Sequence, residues 1–169
     1  ETNTLGFVAA YPLPELIRGI NAFTLGAQSM NPDVQVRVVW TKSWYDPATE
    51  KEAAKSLLDI GADVITQHVD STAPQEAAQE RGCYSIGYNS DMSKFAPEAH
   101  LTSAIWKLEN LYPKFVKQVQ EGTWESSDTW AGLKENVIGL APFGPMVPDK
   151  VRQTVNDSEK LISNGELQV

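Results

Sequence analysis

Aromatic and polar side chains recur directly after, or at the end of, the apolar segments of this sequence. The candidates for ligand binding are Tyr11, Trp44, His68, Asp70, Ser71, Asp91 and Trp106. Aromatic rings stack on flat molecules, and carboxylates and hydroxyls form hydrogen bonds with the edges of such molecules. The set therefore indicates a site for a flat, hydrogen-bonding organic ligand.

Catalytic and metal-binding motifs are mostly absent. The sequence has no GxGxxG, GxxxxGK[ST], GxSxG or HExxH motif, so we expect no enzyme activity, no catalytic residue and no cofactor. His68 with Asp70 is open to two interpretations, half of an acid–base pair or a hydrogen-bonding histidine at the rim of a site, and the second is favoured. Cys83 with His68 and His100 makes a poor metal set, because structural zinc needs four close ligands.

Several candidates have a structural interpretation beside the functional one. Asp46 precedes Pro47, which is good helix-capping chemistry, so Asp46 is either a cap or a ligand contact. Trp44 is either a lid over the edge of a sheet or an anchor in the core. Trp106 ends an apolar segment, for which core packing is the default. Trp124 and Trp130 are expected to be packing or interface residues.

Composition narrows the class of protein. The chain has 169 residues, of which 41% are hydrophobic and 21% charged, enough for one globular domain with a full core. The net charge of -8 opposes binding to nucleic acid, so we expect no nucleic-acid partner. The start ETNTLGFVAA lacks the features of a signal peptide, so either the protein is cytosolic or its export segment is missing.

Short apolar segments alternate with helical patterns along most of the chain. The predicted strands are 4–10, 34–40, 62–67, 84–88 and 101–106, and the predicted helices are 14–31, 47–61, 72–82, 108–121 and about 149–163. Strand–helix–strand units at this spacing predict an α/β fold with a parallel-dominated sheet and helices on both faces. In such sheets ligands bind beyond the carboxyl ends of the strands, where the candidate residues lie.

The same loops resemble a known family. The stretches that carry the resemblance are GFVAAYPLPELIRGINAFTLGAQSMNPDVQVRVVWTKSWYDPATEKEAA, GADVITQHVDSTAPQEAAQERGCYSIGYNSDM, HLTSAIWK and GLKENVIGLAPF. They are similar to the second half of the basic membrane protein family, the PnrA-like extracytoplasmic solute-binding lipoproteins of ABC importers, which have the type I periplasmic-binding-protein fold. The resemblance implies a periplasmic or cell-surface lipoprotein, with an ABC-transporter permease as partner.

The resemblance also implies how the chain is organised. Family members have two α/β lobes that close on a ligand, and this chain matches mainly the second lobe. We therefore expect an α/β ligand-binding lobe over residues 1–123 and a hinge-crossing segment with the last helix over 124–169. The first lobe, which would be the partner of this lobe in the same protein, and the lipoprotein cysteine would then be missing from this chain. Uncovered apolar surface at the cleft makes self-association of this lone lobe an expectation.

The family's ligands are purine nucleosides or purine bases, held by aromatic stacking and polar contacts. By position, Trp44 matches the stacking phenylalanine of the family and Asp91 its ligand-binding aspartate. Trp106 stands where nucleoside binders have a lysine, and Lys107, one residue later, faces the other side of a strand. The family's small Gly-rich loop after the third strand is here HVDST, which fills space that a sugar needs. The departures favour a base such as adenine, or another flat heterocycle, over a nucleoside.

Two other classes of function stay open. A ligand-sensing regulatory domain would share the fold and the rim, but would be attached to a DNA-binding or signalling segment. A small α/β enzyme would need a nucleophile, a cofactor loop or a metal set, and none is visible in the sequence. The full gene would separate transport from regulation, since a lipobox cysteine accompanies transport and a helix-turn-helix accompanies regulation.

Overall fold

One six-stranded sheet forms the centre of the computed structural model, which describes residues 2–168. The strands are β1 (Thr4–Ala9), β2 (Gln35–Trp40), β3 (Val64–His68), β4 (Tyr84–Asn89), β5 (His100–Trp106) and β6 (Ile138–Leu140). The helices are α1 (Pro14–Met30), α2 (Pro47–Asp59), α3 (Ala73–Glu80), α4 (Tyr112–Gln120) and α5 (Asp149–Ser163), with a short 3-10 turn at Leu108–Asn110.

The strand order is β2-β1-β3-β4-β5-β6. β1 to β5 are parallel, and β6 pairs antiparallel with β5 at the edge of the sheet. Because these five strands run in the same direction, their carboxyl ends lie along one edge. The predicted parallel-dominated sheet is confirmed.

Helices cover both faces of the first strands. Phe7 of β1 meets Phe23 of α1 edge-to-face, with ring centroids 5.9 Å apart. The neighbouring Gly6 faces the opposite side, where an added Cβ would lie 3.0 Å from Cβ of Leu57 in α2. Leu16, Leu57 and Ile65 are fully buried between these layers. Alternation along β1 thus places α1 and α2 on opposite faces, as the sequence predicts.

Helix α2 begins and ends where its flanking residues require. The Asp46 carboxylate accepts the backbone N–H of Thr49 at 3.1 Å and its hydroxyl at 2.7 Å, and Pro47 occupies the first helical position. These hydrogen bonds lower the pKa of Asp46 below its usual value. Gly61 follows the helix at φ +94, a conformation that glycine adopts without strain. The capping interpretation of Asp46 is confirmed.

The segment after β5 differs from its prediction. The pattern over 108–121 predicts one helix, but the structure has the 3-10 turn and then α4 from Tyr112 to Gln120. Pro113 explains the break, because its ring excludes the backbone hydrogen bond that a helix interior needs and fits only the first turn. The apolar side chains of α4 are largely open, with Tyr112 56%, Val116 57% and Val119 63% exposed.

The C-terminal part contains one short strand, β6, and the predicted last helix α5. β6 joins the same sheet as the first five strands, in an antiparallel register that places Ile138 opposite Trp106. The boundary at residue 123 between lobe and hinge-crossing segment stays a prediction. None of the helices within residues 2–168 has the length and apolar character needed to cross a membrane.

Candidate functional site

The carboxyl ends of the parallel strands bring the predicted rim residues to one edge of the sheet. Ala9 pairs with Trp40 on one side and with His68 on the other, so β1, β2 and β3 end level with one another. The loops that follow hold Tyr11, Trp44 and Asp70. Tight pairing at the strand ends therefore positions these loops side by side.

Four rings form a continuous series along this edge, here called the aromatic row: Tyr11, Trp44, His68 and Tyr88. The centroids of Tyr11 and Trp44 are 5.5 Å apart, and those of Trp44 and His68 are 6.1 Å apart. His68 and Tyr88 are closer, at 4.1 Å. Neighbouring rings at these distances hold one another in place, each tilted against the next by 40° to 57°.

Trp44 is partly open, and its neighbour Tyr45 is more exposed. The Trp44 side chain is 38% exposed and lies in ring contact with Tyr11 and His68. Tyr45 is 67% exposed and lines a shallow depression with Asp70 and Phe95. A core anchor would be buried, so the structure favours a Trp44 ring that is available for stacking over one that anchors the core.

Asn89 connects the ends of three strands. Its Oδ1 accepts the indole N–H of Trp106 at 2.9 Å, and its Nδ2 donates to Oδ1 of Asp70 at 3.1 Å. The residue has a φ of 69, in the left-handed region that asparagine tolerates better than most residues. Trp106 is 43% exposed rather than packed in the core, so the default expectation for this residue is wrong.

The electrostatic environment of the row is set by burial and by carboxylates. Burial lowers the pKa of His68, whereas the negative charges of Glu15 and Asp70 act in the opposite direction and raise it. Burial raises the pKa of Tyr88 to about 12. At neutral pH the imidazole and the phenol are therefore uncharged, while the adjacent carboxylates are acceptors for N–H or O–H groups of a ligand.

Ser71 is turned away from the open edge. It is 7% exposed, and its hydroxyl donates to the carboxylate of buried Glu50. The hydroxyl oxygen also accepts the backbone N–H of Ala73 at 3.3 Å, at the start of α3. The structure thus gives the Ser71 side chain a role within the loop, and its predicted ligand contact stays a prediction.

Asp91 is held in a local turn after β4. Its Oδ1 accepts the backbone N–H of Ser93 at 2.9 Å and lies 4.0 Å from Nε2 of buried His100. Hydrogen bonding to Ser93 lowers the pKa of Asp91. The structure therefore brings together Tyr11, Trp44, His68, Asp70 and Trp106, and gives Asp91 separate partners.

The whole chain matches one protein family. Residues 1–169 match the family described as ABC transporter substrate-binding protein PnrA-like. The chain belongs to this family. Membership confirms the resemblance drawn from the loops around Trp44 and Asp91.

Among curated relatives of this PnrA-like chain, a purine-binding protein of Brucella abortus is 46% identical over 162 residues, covering 96% of this chain and 46% of the relative. A putative ABC transporter glucose-binding protein of Haloferax volcanii is 43% identical over 169 residues, covering 100% and 43%. The chain spans about half the length of these relatives. The crystal structure of a transcriptional activator of the comK gene from Bacillus halodurans superimposes with a TM-score of 0.86 at 28% identity, covering 99% of this chain and 58% of that one.

Three residues of the PnrA-like site were missed by the sequence analysis: Glu15, Tyr88 and Asn89. Tyr88 and Asn89 end the YSIGYN strand, and Glu15 lies in the first turn of α1. The signal was present, because the last residues of a parallel strand and the first turn of the next helix both face the ligand edge.

An apolar groove continues from the aromatic row of this PnrA-like chain. It has a volume of about 440 Å³ and runs between β5, β6 and α5. Its lining includes Tyr88, Ala104, Trp106, Ile138, Leu140 and Ile162. Residues 2–168 contain no group of three or more His, Cys, Asp or Glu side chains arranged to hold a metal ion.

Proposed function

We propose that this chain is the ligand-binding lobe of an extracytoplasmic solute-binding component of an ABC importer, and that it binds a purine base or nucleoside. The observation that carries the proposal is the aromatic row with Trp44 38% exposed at its open side. A purine ring stacks on an indole with a gain on the order of 1 to 3 kcal/mol. The family match supports the substrate-binding role.

The polar groups beside the row suit the edge of a purine. Asp70 and Glu15 offer carboxylate oxygens to ring or exocyclic N–H groups, and neutral His68 can donate or accept. A base is favoured over a nucleoside, because Trp106 occupies the strand end at which the family's nucleoside binders have a lysine. The relative named as a purine-binding protein supports this ligand class.

We propose that the ligand is enclosed by a second lobe of the same protein. The curated relatives are about twice as long as this chain, and binding sites for small molecules bury most of the ligand surface. The open side of the aromatic row would face that lobe, and the closed form would dock on a membrane permease. Export and attachment to the membrane by a lipid-modified cysteine belong to the same proposal.

A sugar is the competing ligand class. One relative is named as a putative glucose-binding protein, and the apolar face of a pyranose also stacks on tryptophan. The two classes differ in what the rim must recognise, since glucose presents hydroxyls around its whole edge and a purine presents a few ring nitrogens. A direct comparison of the two ligands separates the two possibilities.

The test is calorimetric titration of the full-length protein after removal of bound ligand by unfolding and refolding. Adenine, guanine, adenosine, guanosine and glucose would be compared under the same conditions. We expect saturable binding of at least one purine with an affinity at least about 100-fold higher than for glucose. Binding of glucose without binding of any purine would overturn the proposal.

A regulatory role for the same purine site is the second candidate, supported by the structural likeness to a protein titled as a transcriptional activator. Uptake of radiolabelled purine by cells that lack the gene distinguishes the roles. Loss of uptake supports transport. Normal uptake with altered transcription supports sensing.

A further inference from the structure

Glu50 is an acidic residue buried inside the α/β lobe. Its side chain is 0% exposed, and it lies in the first turn of α2. One carboxylate oxygen, Oε1, accepts the backbone N–H of Asp46 at 2.7 Å. The other, Oε2, accepts the hydroxyl of Ser71 and the backbone N–H of Ser71 at 3.3 Å. The carboxylate therefore joins the loop after β2 to the loop after β3.

The carboxylate of Glu50 accepts its hydrogen bonds at the starts of two helices. Within residues 2–168, the Lys, Arg and His side chains form no ion pair with Glu50. Glu50 belongs to the first turn of α2, and Ser71 lies directly before the N-terminus of α3. The positive ends of two helix dipoles thus converge on one buried carboxylate.

The two joined loops carry Trp44 of the aromatic row and the Asp70 carboxylate beside it. Asp46 lies two residues after Trp44, and Ser71 directly follows Asp70. A further bond reinforces the connection, since the backbone N–H of Asp70 donates to the carbonyl oxygen of Trp44 at 2.8 Å. A buried carboxylate with its donors in fixed positions has few alternative arrangements, because each unpaired donor would be costly.

We propose that Glu50 is a positioning residue that fixes the loop bearing Trp44 against the loop that follows His68 and bears Asp70, and so preorganises the stacking surface before ligand arrives. This inference rests on the proposed function for its effect on affinity, but its effect on Trp44 is present without ligand. Glu50 acts through Trp44, because a side chain with no exposed surface cannot touch a ligand at the rim.

A double-mutant cycle in the full-length protein tests the proposal. Glu50→Ala should weaken purine binding by about 10-fold when Trp44 is present and by less than about 2-fold in the Trp44→Ala background. Glu52→Ala is the matched control, since Glu52 is an exposed acidic residue of the same helix. Equal losses in both backgrounds, or no loss in either, would overturn the proposal.

Fluorine NMR of ligand-free protein labelled with 5-fluorotryptophan gives a second readout that needs no purine. The resonance assigned by Trp44→Phe should shift or broaden in Glu50→Ala and stay in place in Glu52→Ala. If wild-type protein binds no purine, the proposed function fails, and this resonance still decides whether Glu50 orders the loop. An unchanged resonance in Glu50→Ala would contradict the positioning role.

Glu50→Gln and Ser71→Ala replace Glu50→Ala in these experiments if that variant does not fold. Glu50→Gln keeps the volume but replaces one acceptor by a donor, and Ser71→Ala removes only the hydroxyl hydrogen bond to the carboxylate. Each should give a smaller shift of the Trp44 resonance than a full loss of the carboxylate. A folded Glu50→Gln variant with both the Trp44 resonance and the purine affinity of wild type would contradict the proposal.

Discussion

The indole N–H of Trp106 donates to Oδ1 of Asn89 at 2.9 Å. Asn89 donates in turn to Asp70 at 3.1 Å, so one amide side chain joins the ends of β3, β4 and β5. The backbone of Asn89 has a φ of 69. The position therefore accepts local strain at the edge where we propose that the ligand binds.

Replacement of Asn89 separates the hydrogen bonds from the backbone. Both Asn89→Gly and Asn89→Ala should weaken purine binding, by about 3- to 30-fold, because each removes the link between Trp106 and Asp70. The free energy of unfolding should be about 1 kcal/mol lower for Asn89→Ala than for Asn89→Gly, since alanine is strained at positive φ. Calorimetry and urea unfolding measure the two effects. Purine affinity in Asn89→Gly equal to that of wild type would show that the link has no role in binding.

Two buried histidines predict a pH dependence of stability. Burial lowers the pKa of both His68 and His100 in the folded protein, below the value of 6.5 for a free side chain. Just below that pH the unfolded chain binds more protons than the folded chain, so protonation favours unfolding. The contribution of the two histidines to the free energy of unfolding should therefore be fully present above pH 6.5. It should fall as the pH drops from 6.5 toward the pKa values of the folded protein.

Urea unfolding at about pH 7.5 and about pH 5.5 checks this expectation. The carboxylates of Asp46 and Asp91 do not interfere, because their pKa values are lowered from 3.8 and their protonation affects stability only in more acidic solution. His68→Gln should reduce the difference in unfolding free energy between the two pH values. Equal stability of wild type at both would show that the histidines are not buried as described.

Asp91 offers a test of a proposed ligand contact against a structural one. Asp91→Asn keeps an acceptor for the Ser93 N–H but removes the charge, so the turn and the stability should be retained. If Asp91 accepts a hydrogen bond from the ligand, as we propose, purine affinity should fall by about 10-fold in this variant. Wild-type affinity in Asp91→Asn, together with reduced stability in Asp91→Ala, would limit Asp91 to its turn.

The isolated chain should differ from the full-length protein. One wall of the proposed cleft binds a purine weakly, and Tyr112, Val116 and Val119 of α4 expose apolar surface. We expect these 169 residues alone to self-associate and to bind purine at least about 100-fold more weakly than the full-length protein. Sedimentation measures the first effect, with Val116→Lys as a variant that should remain monomeric. A strictly monomeric wild-type chain at high concentration would contradict the role of α4.

The fold followed from the sequence where local chemistry and pattern agree. Asp46, Pro47 and Gly61 set the limits of α2, and alternating strand and helix patterns gave the parallel sheet. The prediction of a single helix over 108–121 was wrong because Pro113 breaks the pattern that the apolar spacing suggests. Hydrophobic spacing and capping residues therefore predict a helix or strand correctly when no residue in the segment disfavours it.

Within the site, the sequence identifies the loops but not the direction of each side chain. Ser71 turns inward because it meets Glu50, which is 21 residues earlier and whose burial no periodicity reveals. Tyr88 joins the row because of contact with His68 from the adjacent strand. Side-chain direction in a loop depends on such long-range partners, and a single sequence does not encode them in any local pattern.

The most direct measurement is the purine affinity and thermal stability of Trp44→Ala in the full-length protein, with Tyr45→Ala as the neighbouring control. Loss of a stacking indole, on the order of 1 to 3 kcal/mol, should weaken binding by about one to two orders of magnitude while the melting temperature changes little. Tyr45→Ala should lose much less affinity than Trp44→Ala, since Trp44 rather than Tyr45 is in ring contact with Tyr11 and His68. Unchanged affinity in Trp44→Ala, or a large loss of stability in the ligand-free protein, would contradict the stacking role and leave Trp44 as a packing residue.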